Sequence, residues 1–212
     1  MQAVFLAALA AASLVHLASL FSGSGRVRAF SKICLAPLIL GTYISRAESV
    51  FFPVVLALFF GWFGDIMLLK KKDVRFFRLG LAGFLLGHIS YTAAMFSFAG
   101  PPSPFALAAG LAAALPLGIG ARRFIRPSKE MSLPAAAYET AILLMAFSAL
   151  QLFLVRSLPF GALAFAGSIC FLVSDFLLAY FAFHRQPRYG NVPVMVLYIA
   201  AQLCLVLGLA GM

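Results

Sequence analysis

The chain has 212 residues, of which 64% are hydrophobic and 10% charged, with a formal net charge of +10. A soluble domain is about 45–50% apolar and about 25% charged, so this composition excludes an ordinary soluble domain. It leaves a polytopic membrane protein, read as a single integral membrane domain over residues 1–212. The basic excess does not point to nucleic acid, because the basic residues lie in short loops between apolar runs and form no continuous face.

A helix needs about 20 apolar residues to cross the hydrocarbon core. Eight segments qualify, at 2–21, 30–45, 50–69, 76–98, 104–121, 132–155, 160–183 and 191–211. The first lacks a basic n-region and is longer than a signal-peptide core, so it is read as a retained span. The second and fifth are short or broken by proline, at Pro37 and Pro116. The runs are continuous rather than alternating, which predicts an all-α bundle and not a closed barrel. Cys34, Cys170 and Cys204 fall inside apolar runs without a CxxC pair and read as small buried hydrophobes.

The loops set the expected orientation. Arg26, Arg28 and Lys32 belong to loop one; Lys70, Lys71, Lys72, Arg75 and Arg78 to loop three; Arg122, Arg123, Arg126 and Lys129 to loop five; Arg185 and Arg188 to loop seven. Only Arg46 and Arg156 lie in even loops. The positive-inside rule then puts the odd loops in the cytoplasm and both termini outside. Small loops and strong charge bias fit a multi-pass protein of a bacterial inner membrane. The sequence says nothing of oligomeric state.

Two aspartates stand out. Asp65 lies in FFGWFGDIMLL of span three and Asp175 in CFLVSDFLLAY of span seven. A carboxylate within a span costs roughly 2.5–3.5 kcal/mol even on an insertion scale, and such groups usually face a bundle interior or a wet cavity. An offset of 110 residues lays Asp65 over Asp175 and His88 over Tyr198. This alignment raises a possible 4+4 parallel repeat with a site between the halves.

At 1.5 Å per residue, Asp65, Asp175, Glu139, Tyr138, Tyr198, His88 and Lys32 fall within one half of the bilayer. Asp175 lies farther from its span end than Asp65 and is expected to be the more deeply buried. Each residue also has a structural role open to it. Asp65 has Lys70 or Lys71 within reach, and Glu139 has Lys32 or Arg126. His88 and Tyr91, three apart in GHISY, share a helix face and suit interhelical hydrogen bonding. Tyr138 and Tyr198 suit packing, His16 and His184 structural or interfacial positions, and Gln202 a bond between helices.

The motifs of familiar hydrolases are missing. Three scattered histidines give no HExxH spacing, and there is no GxSxG elbow, Walker loop or dinucleotide fingerprint, so neither metal nor cofactor is expected. What remains is a carboxylate pair with a histidine and tyrosines. Burial and mutual repulsion separate the titrations of two carboxylates, so one serves as general acid and the other as base. Acetals, glycosides and vinyl ethers are bonds that cleave through the cationic intermediates such a pair favours.

At these positions the chain resembles the YhhN family of lysoplasmalogenase-like membrane proteins. The shared features are Lys32 to Pro37 at the start of span two, FFGWFGD ending at Asp65, GHISY of span four, Tyr138 of span six and FLVSDFLLA around Asp175. The resemblance implies an eight-span, metal-independent hydrolase that releases a fatty aldehyde from a lysoplasmalogen, a 1-alkenyl-glycerophosphocholine or -ethanolamine. It implies Asp65 and Asp175 as the catalytic pair. Lys32, His88, Tyr91, Tyr138, Glu139 and Tyr198 are the expected binding or orienting residues, with Lys32, Arg75 or Arg78 on the phosphate. Two other classes fit the same composition: a transporter or proton-coupled permease, and a non-catalytic lysolipid-binding protein.

Overall fold

The computed structural model describes residues 1–156, 158–184 and 187–212, so Arg185 lies outside the described residues. The described chain is helical nearly throughout: α1 (Gln2–Ser22), α2 (Gly25–Arg46), α3 (Phe52–Leu68), α4 (Val74–Ala99), α5 (Pro104–Phe124), α6 (Lys129–Arg156), α7 (Phe160–Phe183) and α8 (Asn191–Ala210). All eight expected spans appear as helices. Seven are long and apolar enough to cross a membrane, while α3, with 17 residues, is shorter. At 1.5 Å per residue α3 is only about 25 Å long, which places its C-terminal residues below the end of the bundle.

The odd and even loops gather at opposite ends. The Phe21 ring lies 5.4 Å from that of Tyr189, Lys71 reaches Asn191, and Arg78 pairs with Glu130, tying loops one, three, five and seven together. Phe51 meets Phe98, Arg156 donates to the Phe98 carbonyl and Gln151 to that of Gly100, at the opposite end. The alternation of basic and neutral loops therefore corresponds to two physical ends of one bundle.

Several helices extend farther than the apolar runs. The first turns of α2 contain Arg26 and Arg28, and α6 begins at Lys129. Backbone hydrogen bonding continues beyond the hydrocarbon limit while long basic side chains carry their charge outward. The expected breaks at Pro37 and Pro116 are corrected, because both prolines lie inside continuous helices. At Pro37 the reason is visible. Proline lacks the N–H that would satisfy the carbonyl four residues earlier, and Trp62 Nε1 on α3 donates to that Ile33 carbonyl at 3.0 Å.

The tightest pairings are α3 with α4 and α7 with α8. Small residues permit this closeness. A Cβ on Gly83 of α4 would sit 3.0 Å from the backbone of Gly64 and of Phe60, and one on Gly208 of α8 would sit 2.7 Å from the Ala164 backbone. The pattern repeats between halves: α2 meets α3 and α8, as α6 meets α7 and α4. It breaks at one place. α1 packs along α2, whereas the corresponding α5 touches α6 only lightly and buries none of its residues.

Candidate active site

Asp65 and Asp175 sit in matching but unequal surroundings. The short α3 lowers Asp65 to the level of residues two turns inside α2 and α8. Lys32 Nζ lies 3.0 Å from Asp65 Oδ1, and the Tyr198 hydroxyl donates to Oδ2 at 2.6 Å. Trp62 and Asp65 are three residues apart on one face of α3, so the same face engages Ile33 and Lys32 of α2. Behind Tyr198, Gln202 Nε2 lies 3.5 Å from its hydroxyl, and Tyr91 donates to Gln202 Oε1 at 2.7 Å. The Asp65 side chain is 2% exposed. Neither Lys70 nor Lys71 is its partner: Lys70 lies over the Phe76 ring and Lys71 reaches Asn191.

Asp175 on α7 receives two donors on one oxygen. Tyr138 of α6 donates its hydroxyl to Oδ2, and His88 Nε2 of α4 lies 3.2 Å from the same atom. His88 Nε2 is also 3.0 Å from the Tyr138 oxygen, while its Nδ1 is buried without a partner. Since Tyr138 spends its proton on Asp175, the contact from His88 to Tyr138 requires a proton on Nε2. Among the described residues Oδ1 of Asp175 accepts no hydrogen bond, and it is not among the sealed atoms.

Offset by 110 residues, the two arrangements correspond crosswise. Asp65 is held by Tyr198 of the second half, and Asp175 by the equivalent His88 of the first. Lys32 of α2 and Tyr138 of α6 complete them from equivalent helices. Between the two lie Phe171 and Phe84. The Phe171 ring stands edge-on to His88 at 4.8 Å and to Tyr198 at 5.5 Å, and Phe84 lies 6.0 Å from Tyr198. The aromatic pair packs the halves together.

The Asp175 arrangement opens to space. A cavity of about 560 Å³ lies among α4, α5, α6 and α7, with Phe77, Leu81, Phe84, Leu172 and Phe183 in its apolar wall. Among the described residues Asp175, Glu139 and Arg122 are its charged lining, with Tyr138 beside them. This size falls within the roughly 300–1,000 Å³ of small-molecule sites. The cavity exists because α5 stands away from the bundle.

Four expectations need correction. Asp175 is not the more deeply buried aspartate; its side chain is 10% exposed because it faces the cavity, whereas the short α3 draws Asp65 inward. Glu139 pairs with Arg122 of α5 at 3.0 Å rather than with Lys32 or Arg126, because α6 borders α5 and α2 lies on the far side. Tyr91 joins Gln202 and not the Asp175 group, although it shares a helix face with His88. Lys32 is committed to buried Asp65, and Arg78 to Glu130 outside the cavity, so neither lines the space beside Asp175; Arg75 does not line it either.

The other secondary residues behave as structural parts. His16 is buried with Nδ1 on the Ser31 hydroxyl at 2.9 Å, and His184 stacks on Tyr180. Arg122 and Trp62 were not singled out by the sequence. The Pro37 to Trp62 complementarity is a signal that was available only once α2 and α3 were known to touch. Among the described residues no three histidine, cysteine, aspartate or glutamate side chains group as a metal site.

No curated protein and no solved structure matches the chain. The residues that build both arrangements, from Lys32 on α2 to Gln202 on α8, lie inside a family-model match over residues 26–209, and the chain belongs to the YhhN family.

Proposed function

We propose that the protein is a membrane hydrolase that cleaves the vinyl-ether bond of a lysoplasmalogen, with Asp175 as the acid–base group. YhhN membership is consistent with a membrane hydrolase. The observation that carries the finer reading is a carboxyl group in the wall of a largely apolar cavity, with one oxygen fixed by two donors and the other unengaged. A group fixed in this way acts on a bound chain without searching for its geometry.

In the first step Asp175, protonated on Oδ1, gives its proton to the β-carbon of the alkenyl ether. The electron pair of the ether oxygen moves toward the α-carbon and leaves an oxocarbenium ion. Water adds to that carbon, and the Asp175 carboxylate takes its proton. The hemiacetal then collapses to a fatty aldehyde and the glycerol hydroxyl. The sum is one vinyl ether and one water to one aldehyde and one alcohol, with Asp175 returned to its starting state. Tyr138 and His88 hold Oδ2 and aim Oδ1 throughout.

Asp65 has a different part in this reading. Shut away from the cavity and paired with Lys32, it positions Tyr198 against Phe171, which packs on His88. It is a positioning residue for the Asp175 group. The test is mass spectrometry of products from a mixed lysolipid panel, comparing wild type with Asp175→Asn and Asp65→Asn. The expected result is aldehyde from alkenyl lysolipids alone in wild type and its loss in Asp175→Asn. Near-normal turnover in folded Asp175→Asn protein would refute the assignment, and solute flux without hydrolysis in proteoliposomes would favour a transporter.

A further inference from the structure

Among the described residues the cavity that reaches Asp175 has one cation in its wall, Arg122 near the end of α5. Its attachment is slight. Nε donates to Glu139 Oε2 at 3.0 Å, the side chain is 64% exposed, and among the described residues neither terminal nitrogen has a partner. Both terminal nitrogens of the guanidinium fork, with four N–H donors, are therefore unspent.

Glu139 is an incomplete counter-ion. Its Oε1 is buried with no donor, held against α5 where a Cβ on Gly118 would lie 2.8 Å away. A buried acceptor left without a donor disfavours the state that contains it. The pair also separates two hollows. Arg122, Glu139 and Leu143 line both the Asp175 cavity and a groove of about 390 Å³ between α5 and α6. A polar group passing along α5 toward Asp175 meets this pair.

We infer that Arg122 is the phosphate subsite of the cavity, and that Glu139 is the resident counter-ion a substrate phosphate displaces. The planar fork of arginine matches two phosphate oxygens at once, which a single carboxylate oxygen on Nε does not exploit. The inference rests on the hydrolase reading for the rest of the substrate: the phosphate anchors at Arg122, the alkenyl chain follows the apolar wall, and the vinyl ether meets Asp175. A free phosphate offers the same oxygens, but the apolar cavity beside Arg122 favours a phosphate that carries a chain.

The experiment uses the full chain in nanodiscs and measures binding of two uncleavable probes, a saturated 1-alkyl-lysophosphoethanolamine and the phosphate-free 1-alkylglycerol. Arg122→Gln should weaken the phosphate-bearing probe roughly tenfold and change the phosphate-free probe less than twofold. Arg122→Lys, which keeps charge but not the fork, should recover part of that affinity. Glu139→Gln should tighten the phosphate-bearing probe, because it removes the competing anion. Equal losses for both probes in Arg122→Gln, or weaker binding in Glu139→Gln, would overturn the subsite and leave the pair as a strut between α5 and α6. Competition separates the sources: a short-chain alkyl-lysophosphoethanolamine below its micellar concentration is expected to compete better than inorganic phosphate, and the reverse order overturns the lipid assignment. Binding is read without turnover, so an intact Arg122 effect beside absent aldehyde release refutes the hydrolase and not the subsite.

Discussion

Asp65 and Asp175 occupy equivalent places in the two halves, yet one is sealed and the other faces open space. Asp65 has a full charge partner, a tyrosine donor and no contact with the cavity. Asp175 has a tyrosine and a histidine donor, both on Oδ2, and a cavity beside Oδ1. The difference traces to the neighbouring first helix of each half. α1 lies along α2 and closes the Asp65 side, whereas α5 stands off α6 and leaves room beside Asp175. Similar helix contacts in the two halves thus hold two unlike sites: a buried ion pair, and a carboxyl that faces a cavity.

The largest expected effect breaks the comparison at its active side. Asp175→Asn should lower aldehyde release by about 10²–10⁴-fold, the usual contribution of a general acid–base group, with the thermal midpoint little changed. Asp65→Asn should act mainly through stability. It leaves Lys32 as an unpaired charge in a nearly closed place, a loss of about 3–5 kcal/mol for a broken buried pair, read by thermal unfolding in detergent. The double variant Lys32→Met with Asp65→Leu should restore most of that stability, since a packed apolar pair often replaces a buried ion pair without loss. If Asp65→Asn protein keeps its midpoint yet loses turnover as fully as Asp175→Asn, the two aspartates share the chemistry and the contrast fails.

Smaller changes sharpen it. Trp62→Phe removes the donor to the Ile33 carbonyl beneath Pro37, and an orphaned buried acceptor costs about 1–3 kcal/mol. Tyr138→Phe removes one of two donors from Asp175 Oδ2 and should lower kcat about tenfold, as expected for one charge-assisted hydrogen bond, with KM nearly constant. Gly83→Ala forces a methyl against the α3 backbone and should destabilise by about 1–3 kcal/mol. Gly120→Ala on α5 meets nothing within 4 Å and should leave stability unchanged or raise it by up to about 1 kcal/mol. A large loss at Gly120 would mean that α5 packs more closely than its exposure indicates.

Much of this was legible in the chain. Hydropathy located every helix, since twenty apolar residues have one stable arrangement in a bilayer. Loop charge separated the two ends, and the cost of an intramembrane carboxylate drew attention to Asp65 and Asp175. The crosswise pairing of His88 and Tyr198 was foreshadowed by the 110-residue offset. Glu139 shows the limit of such reading. Its depth matched the site, but depth along a helix does not say which neighbour that face meets, and it faces α5.

The sequence by itself determined the helices, their alternation and the residues costly enough to matter, because these follow from local composition and the price of charge in hydrocarbon. Tertiary structure decided which aspartate opens to a cavity, which cation lies in that cavity's wall, and how Pro37 keeps its helix whole. Those outcomes depend on the shortness of α3, the closeness allowed by glycines at α3 with α4, and the stand-off of α5. Each is a relation between helices distant in the chain, set by the packing of side chains and not by the periodicity of any one segment.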